Sequence, residues 1–287
     1  MRNRKTTYIF LLALLVLASI LAGVIFVQKS RELKIIFLDV GQGDAILIEQ
    51  GSKQILIDGG PSGQALLEKL GKLVPFWDRN IEMIIVTHPD ADHITGLVDV
   101  MQNYNIGIVM QTNGTSDSQI FKKFEDLIRM KKIETIEAQR GEKINLAENT
   151  EIEILNPSLE TPISAEDTNA SSVVARLIFG ENTFLFTGDL PVEQEAELIN
   201  KNINLAAKVL KIAHHGSKYS TSREFLQAVN SEDAVISVGK NNRYGHPAAE
   251  TIERLKNKSI RILRTDEMGD IEYACANPVA KCTVVAN

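Results

Sequence analysis

Four side chains that commonly bind metal ions crowd into six positions of the sequence, in the stretch HPDADH. They follow residues 83–87, a short and mostly apolar segment that predicts a buried strand. His88 and Asp90 are one residue apart, so an extended turn would project both side chains to the same side, where they can bind one cation. Asp92 and His93 are adjacent and point in different directions, which favours a neighbouring second cation. The spacing therefore predicts a metal-binding loop at a strand end, with a polar turn and helix cap as the simpler alternative.

The ligand types restrict the choice of metal. Mixed imidazole and carboxylate ligands fit zinc or manganese, and a second carboxylate where an imidazole would also serve favours the more oxygen-preferring ion. We therefore expect two divalent cations, Zn²⁺ or Mn²⁺. Two such ions held a few ångströms apart can share a hydroxide and stabilise both the attacking and the leaving oxygen of a phosphoryl displacement. This chemistry needs no serine or cysteine nucleophile.

A second candidate loop contains two adjacent histidines, His214 and His215, after the apolar segment 206–213. We expect one to face the ions and the other to pack or to contact the substrate, and periodicity leaves open which. Both are candidate catalytic residues, together with Asp92. Residues expected to receive phosphate oxygens lie in this loop and in a later one: Ser217, Lys218, Asn242 and Arg243.

The motif HPDADH resembles the HxHxDH signature of the metallo-β-lactamase superfamily, with its second histidine replaced by aspartate. Five further motifs occur in the family's order: DVGQGDAILI at 39–48, LIDGG at 56–60, TGDL at 187–190, AHHGS at 213–217 and GHP at 245–247. Together they make residues 33–270 similar to the soluble hydrolase domain of bacterial DNA-uptake proteins of the ComEC type. The resemblance implies an α/β fold, the four-layer αββα sandwich of that superfamily.

The resemblance also implies roles for three residues outside these two loops. Asp189 would bridge the two ions, although an aspartate before a proline-led helix is also a normal N-cap. His246 would be the last metal ligand, and Asp58 would support the metal loop from behind. One ion would then be bound by Asp92, His93, Asp189 and His246, and the other by His88, Asp90 and Asp189, with His214 or His215 as the candidate to complete it.

The sequence departs from the family's pattern at one ligand. Many members place a third histidine for the first metal just before a hairpin, which is predicted here at residues 173–189. Asn169, Ser171 or Ser172 occupies this region instead. We therefore expect the first ion site to be weaker or to be filled from elsewhere.

The resemblance implies a phosphodiesterase that cleaves DNA outside the cell, either single-stranded DNA or one strand of a duplex, beside a DNA-uptake machinery. Two alternatives remain open. The same metals would serve a surface hydrolase of another ester, such as a phosphorylcholine ester, a phospholipid or a lactone. The missing third histidine favours instead a non-catalytic module that binds DNA or another polymer.

An uncharged run of twenty residues, 8–27, is long enough to span a bilayer as a helix, and three basic residues precede it within positions 2–5. The positive flank should stay in the cytoplasm, which places the rest of a single-pass membrane protein outside. A cleaved signal peptide and a secreted protein are the alternative. We therefore divide the chain into a flank with an anchor or signal segment, 1–29, and a hydrolase domain, 30–287.

The 287-residue chain is 44% apolar and 24% charged, which is the composition of an ordinary globular protein. Its net charge is −6, but the segment 201–264 carries twelve basic and five acidic side chains, a net charge of +7. Such a segment suits a phosphate backbone, although solvated helix surfaces also explain it. The aromatic content of 6% predicts no evident platform for stacking nucleobases.

The remaining pattern predicts the elements that must position these residues. Hydrophobic periodicity predicts strands at 33–40, 44–50 and 53–60, helices at 63–73 and 119–132, and a polar surface loop at 158–169. Cys275 and Cys282 lie in a predicted hairpin outside the cell, where a disulfide is permitted. Two buried thiols are the alternative.

Overall fold

The computed structural model describes residues 2–158 and 168–286, and it places two β-sheets face to face between helices. The strands are β1 (Leu33–Phe37), β2 (Ile46–Gln50), β3 (Lys53–Ile57), β4 (Asn80–Ile85), β5 (Asn105–Gln111), β6 (Glu134–Glu137), β7 (Lys143–Ala147), β8 (Thr150–Asn156), β9 (Val174–Phe179), β10 (Asn182–Phe186), β11 (Val209–Lys211), β12 (Asp233–Ile236), β13 (Arg261–Arg264), β14 (Ile271–Cys275) and β15 (Thr283–Ala286). The α-helices are α1 (Arg2–Arg31), α2 (Gly63–Leu73), α3 (Ala91–Asn103), α4 (Gln119–Lys131), α5 (Val192–Asn200), α6 (Arg223–Val229), α7 (Ala249–Asn257) and α8 (Thr265–Met268). Two short 3₁₀ turns span Asn169–Ser171 and Ala213–Gly216.

The first sheet has the strand order β15-β14-β1-β2-β3-β4-β5-β6, and the second has the order β13-β12-β11-β10-β9-β8-β7. A core of apolar side chains lies between the sheets, where Phe37 of one sheet and Phe186 of the other have ring centroids 6.1 Å apart. A second core packs α2, α3 and α4 on the outer face of the first sheet, and a third packs α5, α6 and α7 on the second. The predicted αββα sandwich is therefore confirmed.

Parallel strands determine where the candidate residues meet. Strands β3 to β6 are parallel in one sheet, and β10 to β13 are parallel in the other. The carboxyl ends of parallel strands lie at one edge of a sheet, and this edge is where ligand sites form in α/β folds. The loops that leave these ends contain Asp58, the HPDADH motif, Asp189, His214 with His215, and His246.

Helix α3 begins at Ala91, so Asp92 and His93 lie in its first turn, where the Asp92 carboxylate also suits the positive end of the helix dipole. Pro247 precedes α7, which begins at Ala249 with Ala248 as its N-cap. Of the predicted surface loop at 158–169, residues 159–167 lie outside the part of the chain that the structure describes.

Helix α1 contains the predicted apolar segment. Its window Arg4–Leu21 has a mean hydropathy of 1.7 and is 0% buried against the rest of the protein. By length and composition, this is the one helix among the described residues that could cross a membrane.

The carboxyl-terminal hairpin extends the edge of the first sheet. Strands β14 and β15 pair antiparallel, and a disulfide joins Cys275 to Cys282 across the turn between them. The predicted disulfide is present, and its two cysteines are seven residues apart in the sequence.

Reduction of this disulfide should destabilise the domain by about 2 kcal/mol, because a short covalent loop constrains the unfolded chain. Urea unfolding in detergent, with and without a thiol reductant, measures this free energy. The double substitution Cys275→Ser and Cys282→Ser should remove the effect of the reductant. An unchanged unfolding midpoint on reduction of the wild-type chain would contradict the structural role.

Candidate metal centre

The carboxylate of Asp189 lies at the centre of a ring of four imidazoles. Its oxygens lie 3.5 Å from Nε2 of His93, 3.6 Å from Nε2 of His215, 3.7 Å from Nε2 of His214 and 4.0 Å from Nε2 of His88. Most of these separations are too long for direct hydrogen bonds. They match the spacing of atoms that are each about 2 Å from one shared metal ion.

The hydrogen-bonding state of these atoms provides a test of metal binding. In the part of the chain that the structure describes, Nε2 of His88, His93 and His215 and Oδ1 of Asp189 are buried without a hydrogen-bond partner. Leaving a buried polar atom unpaired costs about 1–3 kcal/mol, and an ion bound among these four atoms would offset that cost. Imidazole nitrogens and carboxylate oxygens are donors that divalent cations accept. The residues therefore fit a metal centre.

Among the described residues, four triads have ligand atoms within 4.8 Å of one another. The first contains His88, His93 and Asp189, the second contains Asp92, His93 and His215, and the other two include Asp44. Asp90 lies beside the first triad, since its Oδ2 is 3.8 Å from Nε2 of His88. Residues from both halves of the HPDADH motif thus border the same centre.

Asp58 supports the motif from behind. Its carboxylate accepts hydrogen bonds from the backbone N–H of Thr87 at 2.8 Å, from the Thr87 hydroxyl at 2.6 Å, and from Nδ1 of His93 at 2.8 Å. With a proton held on Nδ1, the lone pair of His93 Nε2 points at Asp189 and is free for a metal. Asp58 thus lies where the resemblance placed it.

Both histidines of the second loop face Asp189. His215 is fully buried, its Nδ1 donates to the carbonyl of Ser237 at 2.9 Å, and its Nε2 is 3.5 Å from Oδ2 of Asp92. The His214 side chain is 34% exposed and lies at the rim of the centre. Each of the two residues has a positive φ, 49° and 53°, and this left-handed turn directs the two adjacent rings to the same centre.

His246 lies at the rim of the ring of imidazoles. Its ring centroid is 5.7 Å from that of His214 and 6.1 Å from that of Tyr244, and it belongs to none of the metal-binding groups among the described residues. His215, rather than His246, groups with Asp92 and His93. Nδ1 of His246 is buried without a hydrogen-bond partner in the described chain, and its role as a metal ligand stays a prediction.

Two of the four residues predicted to contact phosphate make hydrogen bonds within the protein instead. The Asn242 side chain donates to the carbonyls of Gly239 and His246, at 3.0 and 2.7 Å, and accepts from the N–H groups of Tyr244 and His246. The Asn242 side chain therefore stabilises the loop to which it belongs. Ser217 is buried, and its N–H donates to the carbonyl of His214 at 2.8 Å. Lys218 and Arg243 are exposed and remain available.

The segment that replaces the third histidine wraps around the centre. Thr168 donates its hydroxyl proton to Oδ1 of Asp90 at 2.6 Å, and the Ser172 hydroxyl accepts from the N–H of Asp189 at 3.1 Å. Ser171 donates to the carbonyl of Thr168 at 2.7 Å. Both serines are therefore occupied in positioning the chain, whereas Asn169 has a buried Oδ1 without a hydrogen-bond partner among the described residues.

A buried ion pair beneath the centre was missed in the sequence. Lys211 is buried and contacts the Asp44 carboxylate, donates to the carbonyl of Gly188 at 2.9 Å, and lies 3.8 Å from Oδ1 of Asp189. Oδ1 of Asp44 is 3.5 Å from Nδ1 of His215. Two features of the sequence could have revealed this pair: a lysine inside an otherwise apolar strand, and an aspartate after the GQG turn. A charged side chain at such a position is rarely buried without a partner.

The charges in the centre shift one another's protonation. Burial raises the pKa of Asp189, but His215 and His93 outweigh it, so this pKa lies well below its ordinary value. Burial lowers the pKa of His93, but Asp189 and Asp58 hold it well above its ordinary value. Burial raises the pKa of Asp92, but the hydrogen bond from His215 leaves it low. Asp92 and Asp189 are thus ionised at neutral pH, as metal ligands must be.

Only part of the basic segment 201–264 faces solvent near the centre. Lys211 is buried, Arg261 pairs with Asp233, and Arg254 donates to the carbonyls of Ser220 and Thr221. The predicted basic face is therefore smaller than the net charge suggested.

The aromatic content predicts no evident stacking platform, but two tyrosines in the loops that follow the carboxyl ends of β11 and β12 are largely exposed. Tyr219 is 68% exposed, with Nζ of Lys218 5.0 Å from its ring centroid. Tyr244 is 55% exposed, with the Arg243 guanidinium 5.1 Å from its ring centroid. Arg243 and Tyr244 line a groove that also contains Asp92. Overall aromatic content could not reveal where these two side chains lie.

Comparisons with known proteins agree with the fold. Residues 38–240 match the sequence profile of the metallo-beta-lactamase superfamily. The chain is 33% identical over 272 residues to ComE operon protein 3 of Bacillus subtilis, covering 89% of this chain and 34% of that protein. It is 30% identical over 236 residues to competence protein ComA of Neisseria gonorrhoeae, covering 82% and 31%. The chain thus spans about a third of the length of these relatives.

A solved structure supports the architecture. The metallo-beta-lactamase fold protein YhfI from Bacillus subtilis superposes with a TM-score of 0.58 at 15% sequence identity, over 85% of this chain and all of that one. At this identity the likeness concerns the fold alone.

The support that Asp58 gives to His93 can be tested by metal titration. Asp58→Asn should weaken binding of Zn²⁺ or Mn²⁺ by about 10- to 100-fold, because an amide no longer fixes the proton on Nδ1 of His93. Isothermal titration calorimetry measures the affinity. Asp117→Asn, at an exposed carboxylate, is the matched control and should bind like wild type. Equal affinities for both variants would contradict the assigned role.

Proposed function

Since the chain belongs to the metallo-β-lactamase superfamily, we propose that it is a two-metal phosphodiesterase that cleaves DNA outside the cell. The observation that carries the proposal is the set of unpaired, buried imidazole nitrogens that point at Asp189. A relative with 30% identity bears the name competence protein, which links this family branch to DNA uptake. Residues 1–29 would form the anchor and 30–287 the hydrolase domain, with a secreted form as the alternative.

The chain's own residues would divide the work as follows. When bound, two divalent cations activate a water molecule and stabilise the charge that develops during phosphoryl transfer. His88 and Asp90 would hold one ion, Asp92, His93 and His215 the other, and Asp189 would lie between them. His214 reaches Asp189 from the rim with part of its ring exposed, so it is placed to give a proton to the leaving oxygen. The many carboxylates favour Mn²⁺ over Zn²⁺.

The exposed tyrosines support a single-stranded nucleic acid as substrate. Stacking on an aromatic ring recognises any base, and a neighbouring cation contacts the phosphate backbone. Tyr244 and Arg243 offer both groups in the groove that contains Asp92. A strand that follows this groove would bring a phosphodiester to the ions while a base stacks on Tyr244.

Digestion of single-stranded DNA with Mn²⁺ tests the nuclease activity. His88→Ala and Asp92→Ala should each lower the rate at least about 100-fold, because each removes a ligand of one ion. Asp117→Ala should digest DNA at the wild-type rate. Cleavage of small chromogenic diesters with intact DNA would favour a hydrolase of another ester. Binding of DNA without turnover by the metal-loaded wild type would favour a non-catalytic module.

The role of Tyr244 is tested by the same enzyme on two substrates. Tyr244→Ala should raise KM for single-stranded DNA about tenfold, since stacking of one base contributes about 1–3 kcal/mol. Hydrolysis of a small chromogenic phosphodiester should stay unchanged, because such a substrate does not reach the ring. Tyr244→Phe keeps the aromatic face and should retain the wild-type KM. An equal loss on both substrates would exclude the stacking role.

A further inference from the structure

We propose that the end of the domain opposite the metal centre docks on the lipid bilayer through Phe76 and Trp77. These neighbours lie in the turn between α2 and β4, and they are 78% and 73% exposed. Their ring centroids are 4.9 Å apart in an edge-to-face arrangement. An aromatic pair that projects into solvent is costly for a soluble surface and marks a site of contact. The inference rests on α1 as a membrane span and does not depend on nuclease activity.

The topology places this turn at the end from which α1 leaves the domain. β1 follows α1 directly, and Leu33 at its start pairs with Gln50 at the end of β2. Lys53, at the start of β3, pairs with Gln50, and β4 runs parallel to β3. The start of β4 therefore lies at the same end of the first sheet as the end of α1, three strands away from β1. Gln50 donates to the Arg31 carbonyl at 3.4 Å, which fixes the base of α1 at this edge.

The metal centre lies at the other end of the same strand. The HPDADH motif follows the carboxyl end of β4, whereas Trp77 precedes its amino end. A strand of six residues is about 20 Å long, so the two features face opposite directions. A bilayer at the aromatic end would leave the metal centre open to polymeric substrates in solution.

Other exposed apolar side chains gather at this end. Outside α1, the described residues expose seven large apolar side chains: Phe76, Trp77, Met130, Tyr219, Tyr244, Val279 and Val285. Met130 lies in the last turn of α4, which runs antiparallel to its flanking strands, and Val279 lies in the turn after β14. Both positions are at the end where α1 leaves. Four of the seven thus lie at this end of the domain, whereas Tyr219 and Tyr244 lie in loops at the other end, after β11 and β12.

The charges beside the aromatic pair favour a bilayer as the occupant. Lys72, Arg79 and Lys132 are exposed at the same end. Aromatic rings at the level of the headgroups, flanked by basic side chains, are the pattern of protein segments that meet a membrane interface. The apolar window of α1, Arg4–Leu21, lies ten residues before the end of the helix, so a bilayer that holds α1 would lie on the side of the domain that contains Trp77.

Trp77 is the only tryptophan of the chain, so its fluorescence reports on this face alone. The full chain is reconstituted into vesicles of phosphatidylcholine and phosphatidylglycerol, with or without bromine on the acyl chains. Flotation with the vesicles verifies insertion of α1. We expect a blue-shifted emission that is mostly lost in brominated vesicles. The matched control is Trp77→Phe with Tyr219→Trp, which places the only tryptophan near the metal centre and should keep its emission.

Each other outcome overturns the proposal. Emission from floated chain that is equal in both vesicles would show that Trp77 does not reach the lipid. A blue shift without loss in brominated vesicles would indicate burial against a second copy of the chain. Equal quenching of Trp77 and of the tryptophan at position 219 would show that the domain lies in another orientation. If the chain does not float with the vesicles, α1 is not a membrane anchor and the premise of the proposal is wrong. DNA cleavage is measured in its own assay and does not depend on this result.

Discussion

The buried carboxylate of Asp189 is the constraint on which the centre depends. A carboxylate at 3% exposure needs compensating partners, and four imidazole nitrogens lie within 4.0 Å of its oxygens. Its role as a helix cap, which the sequence left open, is excluded because α5 begins at Val192 with Pro191 as the cap. Its backbone N–H is held by Ser172 and its side chain is approached by Lys211. The carboxylate is thus oriented before any ion binds.

The fold supplies this orientation from both sheets at once. Asp58 at the end of β3 fixes the proton on His93, and the Ser237 carbonyl after β12 fixes the proton on His215. These two histidines therefore present Nε2 to the same carboxylate from opposite sheets. Because each partner lies on a strand end inside a packed sandwich, a small shift of either sheet would separate the ligands. The geometry of the site therefore depends on the packing of the two sheets against each other.

Local patterns predict most elements, and they predict the centre only in part. Helix α2 was predicted with its observed bounds, and the HPDADH motif was predicted to bind metal from its spacing alone. The approach of His215 to within 3.5 Å of Asp92 could not be predicted, because it depends on two consecutive left-handed residues that periodicity does not encode. The Asp44–Lys211 pair joins distant strands, so neither residue reveals the other in the sequence.

The central claim is that the imidazoles and carboxylates around Asp189 hold a pair of divalent cations at bonding distance from one bridging group. Electron paramagnetic resonance of the purified chain, titrated with Mn²⁺, tests it most directly. Two ions that share a carboxylate interact magnetically, so the account predicts the multiline spectrum of a Mn²⁺ pair at saturation. A saturated protein that gives only the six-line spectrum of isolated Mn²⁺, or no protein-bound signal, would contradict it.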